Sequence, residues 1–451
     1  MRTERPKHLH LVAGMPVVER VLRAGLTLAP QRLIAVVSPL LADLPVRLGM
    51  SAQLTAIVQD PPSGTAAAVQ VALDAAPDCT WLVSLLGDSP LLTGEIVAKL
   101  LAGARETRAK VTLLSCHLDD AAAYGRVVRN EHRVVRIIEA RNDNPAERRD
   151  CTEINSGVMV LDAAWARGAL SRLSPDPRTG ELLLTDLVEL AVAEHNGSDA
   201  SWPVAAVIGD ESVARGVNDL VELAAVDAIA RQRIRERLMR AGVTIVGPET
   251  VFIDESVDIA ADTTILPYSV LTGRTRVGAH CTIGPHAILD HAEIGDGVTV
   301  TASTVRASSV AAGSDVGPYS HLRGGTRVGP DVHVGNYVEM KNAEIGTGTK
   351  CGHQSYIGDA TVGAGSNVGA GTITANFDGR AKHRTVLGER VFTGSGTVLI
   401  APVAVGDDAR TGAGSIVNRD VPTGATVVGV PARVIKRRLE TGQPTHEEPN
   451  G

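Results

Sequence analysis

"VGAGSNVGAGTI" (362–373) decides how the second half of this chain is built. A valine followed by glycine returns after six residues, and the same unit recurs as "VGAHCTIGPHAI" (277–288), "VGPDVHVGNYVE" (328–339) and "VGDDARTGAGSI" (405–416). Leu387, Thr393, Leu399, Val405, Thr411 and Val417 keep the six-residue step without a break. Val316, Leu322, Val328, Val334 and Met340 keep it as well, before the register slips by one. Each hexapeptide reads as one short strand with its first residue pointing inward and glycine or another small residue turning the corner. Three hexapeptides complete a coil, so residues eighteen apart stack at roughly the 4.8 Å spacing of paired strands. The expectation is a prism over 243–436, a left-handed parallel β-helix, followed by a polar, disordered tail over 437–451.

Upstream the grammar differs. "DLVELAAVDAIARQRIRERLMRA" (219–241) has no Pro or Gly and carries Leu, Val, Ala and Ile at helical spacing. It predicts one connecting helix over 219–242, with Asn218 as its N-cap and Gly242 as its stop. Over 1–218, "RLIAVVS" (32–38), "WLVSLLGD" (81–88), "KVTLLSC" (110–116) and "SGVMVLD" (156–162) read as buried strands, with "TAAAVQVALDAA" (65–76) and "EIVAKLLAGARE" (95–106) as helices between them. Alternating strands and helices predict a Rossmann-like α/β domain, its sheet mostly parallel, with ligands at the carboxyl ends of the strands.

The 451 residues suffice for two or three domains. With 44 basic against 51 acidic residues the net charge is −7, which gives no reason to expect nucleic acid or an anionic membrane as partner. The five cysteines are odd in number and lack CxxC spacing, so they read as reduced thiols of a cytoplasmic protein. No apolar run approaches the roughly 20 residues of a membrane span, and no signal peptide is visible.

The order of short motifs is more specific. "PKHLHLVAG" (6–14), "LLGDSP" (85–90), "YGRVVR" (124–129), "EINSGVMV" (153–160), "LLLTD" (182–186) and "GVND" (216–219) precede the repeats. "HLRGG" (321–325), "VGNYVEMKNAEIG" (334–346), "GHQSYIGDA" (352–360) and "GAGTITANFDG" (369–379) lie within them. In this order they resemble the bifunctional N-acetylglucosamine-1-phosphate uridylyltransferase/glucosamine-1-phosphate N-acetyltransferases, over nearly the whole chain. The resemblance implies two reactions on the way to UDP-N-acetylglucosamine, a precursor of peptidoglycan. One is acetyl transfer from acetyl-coenzyme A to glucosamine 1-phosphate; the other is uridylyl transfer from UTP to N-acetylglucosamine 1-phosphate, with Mg²⁺. It also implies a homotrimer with sites between subunits.

For the uridylyl half the resemblance implies Lys7 at phosphate, Gln59, Gly64 and Thr65 at the uracil, Gly87 with Asp88, and Gly125, Glu139 and Asn155 at the sugar. Asp88 and Asn218 would hold Mg²⁺, which takes few protein oxygens and fills the rest from phosphate and water. The family has GTGHA where this chain has GTAAA, and its first strand and glycine-rich loop, L-A-A-G-x-G-T-R-M, have no counterpart before "PKHLH". Those glycines let backbone N–H groups approach a triphosphate. The chain as written is therefore expected to be poor in uridylyl transfer, with two strand edges left open.

For acetyl transfer His353 is the expected base, since an imidazole with a pKa of roughly 6.5 accepts a proton at neutral pH. Arg323 and Lys341, eighteen apart in an unbroken register, stack one coil apart. Like charges that close call for an anion, which the sugar phosphate would be; otherwise they need an acidic partner, for which the sequence offers Glu339. Tyr356 and Asn367 follow as sugar contacts by resemblance. The repeat phase is lost between Thr374 and Leu387, which predicts an inserted loop carrying Asn376, Phe377 and Lys382. By resemblance Asn376 and Phe377 meet acetyl-coenzyme A, as do Ala370, Ser395 and Ala413. Where some members of the family have an arginine before "VP", this chain reads "VVGVPARVIK" (427–436), and Arg433 or Lys436 is expected to serve the coenzyme's phosphates instead. Two other readings stand beside this one: an acetyltransferase with a decayed nucleotidyl domain, and a trimeric scaffold without catalysis.

Overall fold

The computed structural model describes residues 3–119, 124–139, 151–196 and 202–436; the expected disordered tail lies outside them. The chain divides into two compact units, Met1–Ala230 and Arg231–Gly451.

In the first unit, strands β1 (Leu33–Val37), β2 (Leu54–Val58), β3 (Trp81–Ser84), β4 (Val111–His117), β5 (Arg126–Asn130), β6 (Arg133–Ile138), β7 (Glu153–Asp162) and β8 (Val204–Ile208) form the sheets. Helices α1 (Val17–Leu26), α2 (Thr65–Asp74), α3 (Gly94–Thr107), α4 (Ala163–Leu170) and α5 (Asp186–Ala193) cover them. Side chains alternate across a strand, and β4 shows why its run is apolar throughout. Val111 and Leu113 join Met159 and Leu161 in a core with residues of α2, α4 and α5. Leu114 and Cys116 join Ile154, Val158 and Val160 in a second core with α3. A strand buried on both faces has no polar side to show.

The α/β class stands, but the main sheet is mixed rather than mostly parallel. Its order is β8-β4-β7-β5-β6, with β3 also pairing β7. β8 runs parallel to β4, whereas β7 is antiparallel to β3, β4 and β5. In sequence the β5–β6 hairpin lies between β4 and β7, and β7 re-enters beside β4 in the opposite direction, as antiparallel neighbours do. β1 and β2 form a separate parallel pair. The second edges of β1 and β3 bear no strand among the described residues. Both border one cavity of about 1610 Å³.

Helix α6 (Leu220–Arg240) crosses the division between the units. Its N-cap is Asp219, not Asn218: the Asp219 carboxylate accepts from the backbone N–H of Val221 and Glu222, both at 2.8 Å. A carboxylate serves two amides at once, and Asn218 is left for another task. Gly242, at φ +95°, ends the turn as expected.

The second unit is the prism. Its three faces are parallel sheets of 12, 10 and 9 strands among the described residues, the first face ending in one antiparallel strand, Arg433–Lys436. Leu271, Leu289, Leu322 and Leu399 of the second face point inward and are fully buried. Coils are not uniform. Asp315 pairs with His333, eighteen residues on, but His333 pairs with Lys350, seventeen on. Asn367 pairs with Phe392, twenty-five on, which places the inserted loop between Ile373–Ala375 and Thr385–Leu387. Corners absorb the differences while the strands stay in register. The glycine after an inward residue exists for close approach: a Cβ on Gly335 would lie 1.9 Å from the carbonyl oxygen of Gly352 in the next coil.

The second half of α6 closes the first coils. Arg231 donates to the Ile253 carbonyl at 3.1 Å and to Asp254 at 3.2 Å. Arg235 donates to the Val251 carbonyl at 3.2 Å, and Arg237 to Glu255 at 2.8 Å.

Candidate functional sites in the two units

Nine of the ten residues expected to handle the nucleotide sugar line the α/β cavity: Gln59, Gly64, Thr65, Gly87, Asp88, Gly125, Glu139, Asn155 and Asn218. Gly64 is held at φ +99°, and a Cβ there would strike the Leu182 carbonyl at 2.5 Å. It starts α2, whose Thr65 hydroxyl accepts from the Leu184 N–H at 3.1 Å. The two loops are thereby fixed to each other at the mouth of a helix N-terminus, where N–H groups face outward. Across the cavity the Asn155 N–H donates to the Gly125 carbonyl at 2.9 Å. Glu139 accepts from the Thr185 hydroxyl at 2.8 Å.

Asp88 lies in the turn beyond β3, which stops at Ser84, rather than closing that strand. Its backbone carbonyl accepts from the Val217 N–H at 3.0 Å, which brings the Asn218 loop alongside. The Asn218 N–H donates to Glu222 at 2.6 Å. Lys7, the tenth residue, stands between the two side chains: its ammonium donates to Asp88 Oδ2 at 2.6 Å and to Asn218 Oδ1 at 3.3 Å. Both oxygens thus converge on one positive charge, so the pair fits a cation. Burial pushes the neighbouring His8 imidazole below its ordinary pKa, and the Lys7 charge adds to this against an opposing pull from Asp88.

In the prism His353 ends the strand Lys350–His353 at the corner between the first and second faces. Its Nδ1 lies 2.6 Å from Asn336 Oδ1, one coil earlier. A carbonyl oxygen only accepts, so this contact selects, for the neutral ring, the tautomer with its proton on Nδ1 and its lone pair on Nε2. The same corner then runs through Ala370, Ser395 and Ala413. The Gly371 N–H donates to the His353 carbonyl at 3.2 Å, Gly396 to Ala370 at 2.7 Å and Gly414 to Ser395 at 2.8 Å. One column therefore holds the candidate base and the three small residues.

Arg323 and Lys341 are register partners on the second face, as expected. Each, however, has a carboxylate. Arg323 donates to Glu339 Oε1 from Nε at 2.8 Å and from Nη2 at 2.6 Å. Lys341 lies 3.6 Å from Asp359. Glu339 is therefore not the sole acidic partner, and unbalanced repulsion between the two cations does not by itself argue for a bound anion. The excess charge comes from Lys382 of the inserted loop. Contact with the Lys341 ammonium, and that ammonium's charge, hold Lys382 below the ordinary lysine value, with Arg323 adding to the effect. Three cations then face two carboxylates. The Tyr356 ring lies across Gly358, where a Cβ would meet its hydroxyl at 2.4 Å. Asn367 is not brought to this group: it sits on the first face, between Lys350 and Phe392.

The loop is a closed turn. Asp378 accepts from the N–H groups of Arg380 and Ala381 at 2.8 and 2.7 Å and from His383 Nε2 at 2.8 Å. Asn376, 7% exposed, donates to Asp359, while Phe377 is exposed. Burial acts to raise the Asp359 carboxyl, but hydrogen bonds from Asn342 and Asn376 and the Lys341 charge leave it below the usual range. Arg433 and Lys436 lie exposed on the last strand.

Residues 1–143 match the model of the MobA-like NTP transferase domain. Over 455 aligned residues the chain is 41% identical to the bifunctional protein GlmU of Mycobacterium tuberculosis (strain ATCC 25177 / H37Ra), covering 98% of this chain and 90% of that one. It is also 41% identical over 441 residues to the bifunctional protein GlmU of Pseudarthrobacter chlorophenolicus, covering 96% of this chain and 88% of that one. The chain belongs to the GlmU family. It is a bifunctional transferase with a nucleotidyltransferase unit, as the order of its motifs implied.

Against that family frame, three side chains escaped sequence reading. Thr185 stood inside the quoted "LLLTD" without a role. Asn336 could have been found by stepping one coil back from His353, and Asp359 by stepping one coil on from Lys341. Both steps need a coil length of seventeen or eighteen, which the repeat alone leaves open. Among the described residues no helix is long and apolar enough to cross a membrane.

Proposed function

We propose that the prism acetylates glucosamine 1-phosphate with acetyl-coenzyme A, and that the α/β cavity joins N-acetylglucosamine 1-phosphate to a uridylyl group from UTP, releasing diphosphate. His353 Nε2 takes a proton from the sugar ammonium. The freed amine attacks the thioester carbonyl, the C–S bond breaks, and coenzyme A leaves as a thiolate that takes up a proton. Asn336 holds the tautomer that makes this possible. Arg323, Lys341 and Lys382 bind the sugar phosphate, with Tyr356 beside them. Phe377 and the column Ala370–Ser395–Ala413 lie along the coenzyme, since small side chains let its pantetheine arm rest on backbone. The observation that carries this reading is the Asn336–His353 hydrogen bond at the head of that column.

In the α/β unit Gly64 and Thr65 receive the base, Gly125, Glu139 and Asn155 the sugar, and Lys7 a phosphate. Asp88 and Asn218 would hold Mg²⁺, which supplies charge neutralisation at the phosphates. The protein works in the cytoplasm as a homotrimer. Asn367 stands on a different face from Arg323 and Lys341, as an acceptor site completed by a neighbouring subunit would require.

A paired assay tests the acetyl half. Lys341→Ala should raise KM for glucosamine 1-phosphate on the order of tenfold or more, the scale of a lost charge-assisted hydrogen bond. Turnover of glucosamine without phosphate should not change. Equal losses with both acceptors would mean that Lys341 serves the prism and not the ligand.

A further inference from the structure

The position of Lys7 has a consequence beyond phosphate binding. Asp88 Oδ2 and Asn218 Oδ1 both point at its ammonium, at 2.6 and 3.3 Å. Those are the two oxygens assigned to the divalent cation. The pocket is rigid around them: Val217 bonds the Asp88 backbone, and the Asn218 amide is held by Glu222. The Lys7 stem, by contrast, is a flexible four-carbon chain whose ammonium makes a point contact and can leave without disturbing the backbone. Lys7 and Asp88 are 32% and 25% exposed, so solvent and ions reach the pair.

We propose that Lys7 is an exchangeable internal cation. Without nucleotide its ammonium holds the position between Asp88 and Asn218. When a divalent cation arrives with a triphosphate, the ammonium yields that position and moves to phosphate oxygen. Free divalent cation then competes with a tethered charge and binds weakly, whereas cation delivered with nucleotide gives the displaced lysine a new partner. The site is thereby kept from filling with metal alone. This rests on the nucleotidyl reading of the cavity.

The test is Mn²⁺ binding to the full chain without nucleotide, read from the loss of the free-ion electron paramagnetic resonance signal. Lys7→Met should bind Mn²⁺ more tightly than wild type by on the order of tenfold, as when a like charge leaves hydrogen-bond range of a partly exposed site. Lys7→Arg keeps a cation there and should not gain. Asp88→Asn in the Lys7→Met background should remove the added binding. UTP affinity in the presence of Mn²⁺ should change in the opposite direction, weakening in Lys7→Met. Equal Mn²⁺ affinity in wild type and Lys7→Met overturns the proposal, as does a gain that survives Asp88→Asn, or no uptake by Lys7→Met at all. Failure of UTP to bind any variant while the Mn²⁺ difference persists would instead sink the nucleotidyl reading and leave the exchangeable lysine standing.

Discussion

The two units place their side chains by different rules. In the prism, position along the sequence gives position in space: His353 follows Asn336 by one coil, and Lys341 follows Arg323 by one coil. In the α/β unit the cavity gathers Gln59, Gly125, Glu139, Asn155 and Asn218 from elements far apart in sequence. Only the whole fold brings them together. A solenoid makes contacts coil to coil, so its stability is approximately a sum of local terms, whereas each face of the doubly covered sheet packs a core that several distant elements share.

The contrast breaks first if chemistry crosses between the units. His353→Ala should lower acetyl transfer by ~10²–10⁴, the usual loss of a general base, and leave Mn²⁺-dependent UTP binding unchanged. Loss of both would show that the units do not act independently.

Core truncations sharpen it next. Leu113→Ala and Leu322→Ala each remove a fully buried side chain, at a cost of about 2–5 kcal/mol. By amide exchange, Leu113→Ala should loosen β4, β7, α2, α4 and α5 together. Leu322→Ala should loosen its own coil and the two beside it. Prism-wide loosening would contradict the coil-by-coil account.

The helical closure gives a smaller effect. A fragment beginning at Arg231 keeps the bonds of Arg231, Arg235 and Arg237 to the first coils. One beginning at residue 243 loses them and leaves the Val251 and Ile253 carbonyls without those donors. Its unfolding temperature should fall by several degrees relative to the longer fragment, since solenoid ends need covers. Equal temperatures would assign α6 wholly to the first unit.

The smallest expected effect is a pH dependence. Lys382 is held below the ordinary lysine value by Lys341, and a bound phosphate would raise it again. A group whose pKa rises on binding takes up a proton, so the affinity it contributes is fully present below its free-state pKa and lost as pH rises through the higher bound-state pKa. KM for glucosamine 1-phosphate should therefore climb several-fold on the alkaline side, and Lys382→Met should flatten the climb. An unchanged profile in that variant would remove Lys382 from the phosphate site.

How much was legible follows from the same contrast. The hexapeptide phase gave the prism, its inward residues, the Arg323–Lys341 register and the inserted loop, because period and structure coincide there. It offered Glu339, the partner of Arg323, but not Asp359, which faces Lys341 only after a coil of known length is closed. In the first unit, apolar runs located β1, β3, β4 and β7 but not their directions. Nothing within "SGVMVLD" says that its strand will lie antiparallel between β3 and β4. Capping misled for a local reason: Asn218 and Asp219 are both good caps, and the carboxylate took the amides.

The uneven coils bear on how such a chain changes over generations. Corners of the prism already differ by one or two residues, and one has grown into the loop around Phe377, while the strands on either side remain paired. Insertions and deletions at a corner are thus absorbed within a single turn of the solenoid. A lineage can lengthen, shorten or exchange that loop without renegotiating the rest of the domain, whereas the same event inside β7 would throw the pairing of three strands out of step. New side chains on the surface of the prism should therefore arise at the corners first.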